Sequence, residues 1–331
     1  MYDANDPTWI EASFKRRSEA AKKKRLEARN PALVLVDGKD FMDPLGKLAK
    51  TVALVVEREG LQKLPGLTVP SDVAMILRQL IATYSLLMNT NADEKRDGDP
   101  GYRLSHSFVI LPLVRTMIDG LYNCTAMLDD TSRGRVFRIS GYYRMREAIR
   151  IDEDRYGQDP DWHEALTYKR AHYEAGLRDD GFTDADLDDK KNEWPLLGKY
   201  LGQRPDTPHR RMLRKFTLGF WKEYSSISHA SFDGMVGIYG FIAPDLLGPD
   251  RRGSLREFGE RSISMHVGRS AAILLCLLTE IQNYFKFDNA AEIDERLTKI
   301  WSAMIDIYEV KELYDSRYRD LLRISLPSRV P

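Results

Sequence analysis

The chain is short of several things, and each shortage removes a class of protein. Its 331 residues include two cysteines. Cys124 and Cys276 both lie in apolar runs, and neither belongs to a CxxC pair. A disulfide framework and a cysteine-based zinc site are therefore not expected; both thiols read as buried and reduced. Net charge is also missing, since 50 Lys and Arg balance 50 Asp and Glu. That argues against a surface given over wholly to nucleic acid. No uncharged run reaches the roughly 20 residues of a bilayer span. The first thirty residues hold no apolar stretch of the kind a signal peptide carries. No membrane association is expected, and the cytoplasm is the expected location.

What is present is an apolar fraction of 43%, enough for a substantial core. The apolar positions repeat with helical rather than strand periodicity. Leu45, Leu48, Val52, Val55 and Val56 form one stripe. A second helix is predicted after Pro70 and Ser71. The stretch from Leu104 to Leu128 is apolar nearly all round, so it is predicted to be a central helix, started or kinked by Pro112. "ALVLVD" (32–37) is a short β-like run, too isolated to build a sheet. The predicted fold class is all-α: a multi-helix bundle with a charged insertion and a long C-terminal helix.

Residues 1–30 form a charged, basic-leaning helix or arm, and 40–290 the main helical domain. Within it, about 150–210 is an insertion rich in Asp, Arg, Lys and Gly, with Asp159 and Pro160 opening a helix. "SLRE" (254–257) and "NAAE" (289–292) fit capping boxes. From 289 to 324 a continuous helix is predicted. Its stripe of Ile293, Leu297, Ile300, Met304, Ile307, Lys311, Tyr314, Tyr318 and Leu321 has heptad spacing broken at Lys311. This stripe suits packing on the chain's own domain or a homodimer seam.

Polar groups inside apolar helices mark where chemistry would sit. In "LVRTMIDGLYN", Arg115, Asp119 and Asn123 are four apart. In "WKEYSSISHAS" and just beyond, Ser225, His229 and Asp233 are four apart, so each set shares one helix face. Burying a lone charge is costly, so each group needs partners. The two stripes are expected to face each other as one polar cluster.

These motifs resemble an uncharacterised family of helical bacterial proteins, classed as a domain of unknown function. The matching residues are Arg115 and Asp119, then Trp221, Ser225, His229 and Ser231, over roughly residues 40–290. The resemblance implies an all-helical fold and supports treating the two stripes as one unit. It implies no activity. Asp119 stands where glutamate is the commoner residue, and 150–210 lies outside the pattern.

Three chemistries compete with a structural network. A Ser225–His229–Asp233 hydrolase would carry its three groups parallel on one helix, without a G-x-S-x-G turn. A metal site from His229, Asp233 and Asp119 has a single histidine and no H-x-x-x-H pair. No metal or cofactor is expected. A metal-independent ribonuclease of the HEPN type needs an arginine and a histidine four to six residues apart. "RSISMH" (261–266) and "RPDTPH" (204–209) have that spacing, at chance frequency for this composition. Arg115 with His229 would serve similar ends, one steadying phosphate charge and one moving a proton. "HRRMLRK" (209–215) reads as a solvated basic face or a phosphate site. The glycines of "GMVGIYG" lack the strand and lysine of a nucleotide loop. The expected function is a helical interaction or regulatory protein with a buried Arg–Asp–Ser–His cluster and a protein partner or a homodimer through the C-terminal helix. The alternative is a nuclease-like effector in bacterial defence or stress, using the same cluster with RNA as substrate.

Overall fold

The computed structural model describes residues 41–93, 100–215, 224–225, 252–305 and 308–322. Within these the chain is helical, with no strand. Helix α1 (Met42–Val55) continues through a wide π-helical turn (Val56–Gly60) and a short turn (Leu61–Lys63). Helix α2 spans Val69–Asp93 and α3 spans Pro100–Asp129. Helices α4 (Arg133–Tyr156) and α5 (Pro160–Asp179) form a hairpin, followed by the short α6 (Asp184–Asp188) and α7 (Leu197–Leu201). Residues 208–215 form α8. Helix α9 spans Arg252–Phe285 and α10 spans Ala290–Met304. Helix α11 (Tyr308–Leu313), a π-helical turn (Tyr314–Tyr318) and α12 (Arg319–Leu322) follow.

Among the described residues, helices α3 and α9 share the most extensive contact, with α1 and α2 packed around them. The apolar run that predicted a central helix is buried at most positions from Ile110 to Leu128, Pro112 being exposed, and α9 is buried without a break from Ser270 to Gln282. Helices this apolar have little polar face to give to water, so the others cover most of them. The stripe of α1 is buried at Leu45, Leu48, Val52, Val55 and Val56. Close approach of α2 to α3 depends on Gly120, where a Cβ would lie 2.7 Å from Leu80 Cδ2. Pro112 lies inside α3, which continues through it.

The charged stretch 150–210 takes in the end of α4, the whole of α5 and the short helices after it. Helix α5 packs chiefly on α4 and buries only Leu166 and Tyr173. Asp159 accepts from the Asp161 backbone N–H at 3.0 Å, with Pro160 in the first turn. A small cluster of Ile139, Tyr173, Phe182 and Leu187 holds the base together. Arg138 clasps the hairpin to the body: its Nε donates to Asp72 at 3.0 Å and its Nη1 to Asp180 at 2.6 Å.

Three expectations change. The C-terminal segment is not one long helix, because α10 ends at Met304 and α11 begins at Tyr308. The Trp301 ring lies 4.8 Å from that of Tyr318. In a straight helix these residues would be about 25 Å apart, so the chain folds back here. Ile293, Leu297, Ile300, Met304, Tyr314 and Tyr318 are all buried in the chain's own core, which removes this stripe as a seam between copies. Lys311, the break in the heptads, is exposed. Neither capping box forms as read: α9 begins at Arg252, ahead of Ser254, and Asn289 caps α10 without a side-chain bond. "ALVLVD", the basic arm and the glycine triplet lie outside the described residues.

Candidate functional site

The most heavily charged buried site in the described residues lies where α3 ends, α8 begins, and α9 meets the C-terminal turn. Asp129 is the last residue of α3. A carboxylate there faces the negative end of the helix dipole and needs donors from outside. They come from α7 and α8. Tyr200 O–H donates to Asp129 Oδ2 at 2.8 Å, and Arg210 Nη2 lies 3.3 Å from the same oxygen. Helix α8 is aimed by its start: the Arg210 N–H bonds the Thr207 hydroxyl at 3.2 Å, and Pro208 follows the cap. That places His209 and Arg210 in the first turn, facing Asp129.

His209 joins this group to α9. Its Nδ1 lies 3.3 Å from Asp129 Oδ1 and its Nε2 lies 3.3 Å from Glu280 Oε2. Glu280 is fully buried. Arg317 grips it with both arms of the guanidinium, Nε to Oε1 at 2.5 Å and Nη2 to Oε2 at 2.6 Å. Tyr318 O–H adds a third bond at 3.0 Å. Burial would push this carboxyl up, but hydrogen bonds from Arg317 and His209 outweigh it and hold the group at about 2. Burial pushes the nearby Cys276 thiol up to about 12, so it is no nucleophile at neutral pH. The two histidine nitrogens point to opposite sides of the ring, so Asp129, His209 and Glu280 cannot converge on one ion. Among the described residues no group of three or more His, Cys, Asp or Glu can hold a metal.

A second site joins α9 to the segment that carries Ser225. Tyr224 is fully buried. Arg269 Nη1 donates to the Tyr224 oxygen at 3.0 Å, and the Tyr224 oxygen lies 2.7 Å from His266 Nδ1. The direction of that bond follows the tautomer of the His266 ring. Burial first, and the Arg269 charge second, bring His266 down to about 3. Nδ1 of the histidine in "RSISMH" is thus engaged by Tyr224, in a ring that burial keeps neutral.

The residues predicted from sequence fall as follows. Arg115 and Asp119 form a close i,i+4 ion pair. The Asp119 side chain is 44% exposed, so it reaches water, contrary to the expected burial of both charges. Asn123, third in that stripe, accepts from Trp194 Nε1 at 2.9 Å. Ser225 is half-buried beside Tyr224. Trp221, His229, Ser231 and Asp233 lie outside the described residues. The "HRRMLRK" segment is split, with Arg211 and Lys215 exposed as a solvated face. Arg210 is buried against Asp129, while Arg214 pairs with Asp206 at 2.7 Å.

Sequence reasoning passed over Asp129, His209, Glu280 and Arg317. Glu280 carried the clearest signal, an acid inside "AAILLCLLTEIQNYF", by the same argument applied to Arg115 and Asp119. No protein-family model, curated protein or solved structure matches this chain. No helix among the described residues is long and apolar enough to cross a membrane.

Proposed function

We propose that this chain is a non-enzymatic helical interaction protein, with the α4–α5 hairpin presented to a protein partner. One observation carries the reading: the buried carboxylates Asp129 and Glu280 are each held by donors from other helices. Groups matched in this way tie helices together and set their register. A catalytic acid or base would keep a direction open to substrate. The hairpin, by contrast, leaves Trp162 and Tyr168 exposed, Tyr168 at 71%. Kinship with the uncharacterised helical bacterial family, drawn from the Arg115–Asp119 and Ser225–His229–Ser231 motifs, belongs to this reading.

The test has two arms. Tyr168→Asp with Trp162→Asp should abolish capture of a partner that the unaltered chain retains, with Tm unchanged. Purified chain should leave labelled RNA and DNA intact. Cleavage lost on His229→Ala at unchanged Tm would overturn the reading.

That outcome would favour a nuclease-like effector using Arg115, Asp119 and His229. One observation speaks for it: Tyr224 ties the Ser225 segment to α9, and α9 packs along α3, which bears Arg115 and Asp119. Ser225 and the Arg115–Asp119 pair are thereby attached to one helix pair.

A further inference from the structure

The outer face of α1 and α2 combines exposed apolar side chains with an ion pair at its middle. Arg78 of α2 holds Glu57 of the π turn with two bonds, Nε to Oε1 at 2.5 Å and Nη2 to Oε2 at 2.7 Å. Both side chains remain open, Arg78 at 56% and Glu57 at 38%. The two helices run antiparallel. Tyr84 O–H donates to the Met42 carbonyl at one end, and Gly60 abuts Pro70 at the other. From the ion pair toward the Met42 end, the exposed residues include Leu54 and Ala82; toward the Gly60 end they include Leu61 and Met75. Leu54, Met75 and Leu61 are 61%, 59% and 48% exposed.

We propose that this face is a two-fold interface with a second copy of the chain. The charges of the face are complementary to themselves under a two-fold rotation. A two-fold axis lying in the interface parallel to the helices sets α1 of one copy over α2 of the other. Glu57 then meets the partner's Arg78, and Arg78 meets the partner's Glu57. On the same operation Leu61 meets the partner's Met75, and Leu54 meets the partner's Ala82. A patch that is its own complement under such an axis is what an isologous dimer requires. The C-terminal stripe is closed to this role because it is spent on the chain's own core. The proposal is independent of the hairpin and of the buried carboxylates.

The experiment is sedimentation of the full chain over a micromolar range. The unaltered chain is expected to be dimeric. Arg78→Glu brings two pairs of acids together across the axis, and Glu57→Arg brings two pairs of bases together. Each variant alone is expected to weaken the dimer by roughly ten-fold or more. Both positions are solvent-exposed, so Tm should shift little. An equimolar mixture of the two variants is expected to dimerise again. In the mixed dimer two acids of one copy face two bases of the other, while within each copy the like charges remain. A purely intramolecular role for the pair cannot produce that rescue. A monomeric unaltered chain, whatever covers the face, overturns the proposal. So does a variant that stays dimeric, or a mixture that stays monomeric.

Discussion

Arg317 with Glu280 and Arg170 with Glu153 are the same chemistry in opposite surroundings. The first pair lies between the core helix α9 and the C-terminal turn, with Glu280 sealed from water. The second links α5 to α4 in the hairpin, with both side chains open. The exposed pair gains little, since water and salt compete for each charge. The buried pair is not a source of great net stability either, because removing both charges from water cancels much of their attraction. What differs is the penalty for breaking it. A buried acid without its arginine has no solvent to turn to, whereas an exposed acid simply rehydrates. The body is therefore held to one arrangement by its charges, and the hairpin is merely decorated by them.

Breaking one partner in each region should expose the difference. Arg317→Ala leaves Glu280 buried and is expected to cost about 3–5 kcal/mol in chemical denaturation. Arg138→Ala strands Asp72, which is 3% exposed beneath the hairpin, and should cost about 1.5–3 kcal/mol. A smaller loss there would show that the hairpin base relaxes enough to admit water. Burial already pushes Asp72 upward despite Arg138, so it is poised to accept a proton and soften that loss.

The next effect comes from pH. His266 is lowered from 6.5 to about 3 in the folded chain. The unfolded chain thus takes up a proton below pH 6.5 that the folded one refuses. This contribution to stability is fully present above that pH and is lost as pH falls toward 3. Going from pH 7 to 5 should cost about 2 kcal/mol from this group, and His266→Gln should flatten that slope. Glu280, lowered from 4.5 to about 2, acts in a separate window. Its contribution is present above 4.5 and is lost as pH falls through 2. At the bottom of the scale, Arg170→Ala should leave the denaturation midpoint almost unchanged, and more so in high salt.

Where the hydrophobic period was unambiguous, the chain was legible without coordinates. The stripe of α1, the buried α3 and the Asp159–Pro160 start of α5 each follow from side chains within a few turns of one another. The candidate site was read from the same local rules and came out partial. Arg115 and Asp119 do pair, because four residues on a helix suffice to bring them together. Asp129, His209, Glu280 and Arg317 stand far apart in the chain, and no spacing rule links them. His209 was visible in the "RPDTPH" motif and at the head of "HRRMLRK", and neither pattern points to Asp129 or Glu280.

The last helices show the division most plainly. Composition and period determined that Ala290–Met304 is helical and that Ile293, Leu297, Ile300 and Met304 leave water. They did not determine that Trp301 would meet Tyr314 and Tyr318, which needs a break after Met304 and a return of the chain. Periodicity reports a face that must leave water and is silent about what covers it. A partner copy and the chain's own core satisfy the same stripe equally well. Tertiary packing made that choice, and with it selected which acids would be sealed in and which arginines would have to reach them.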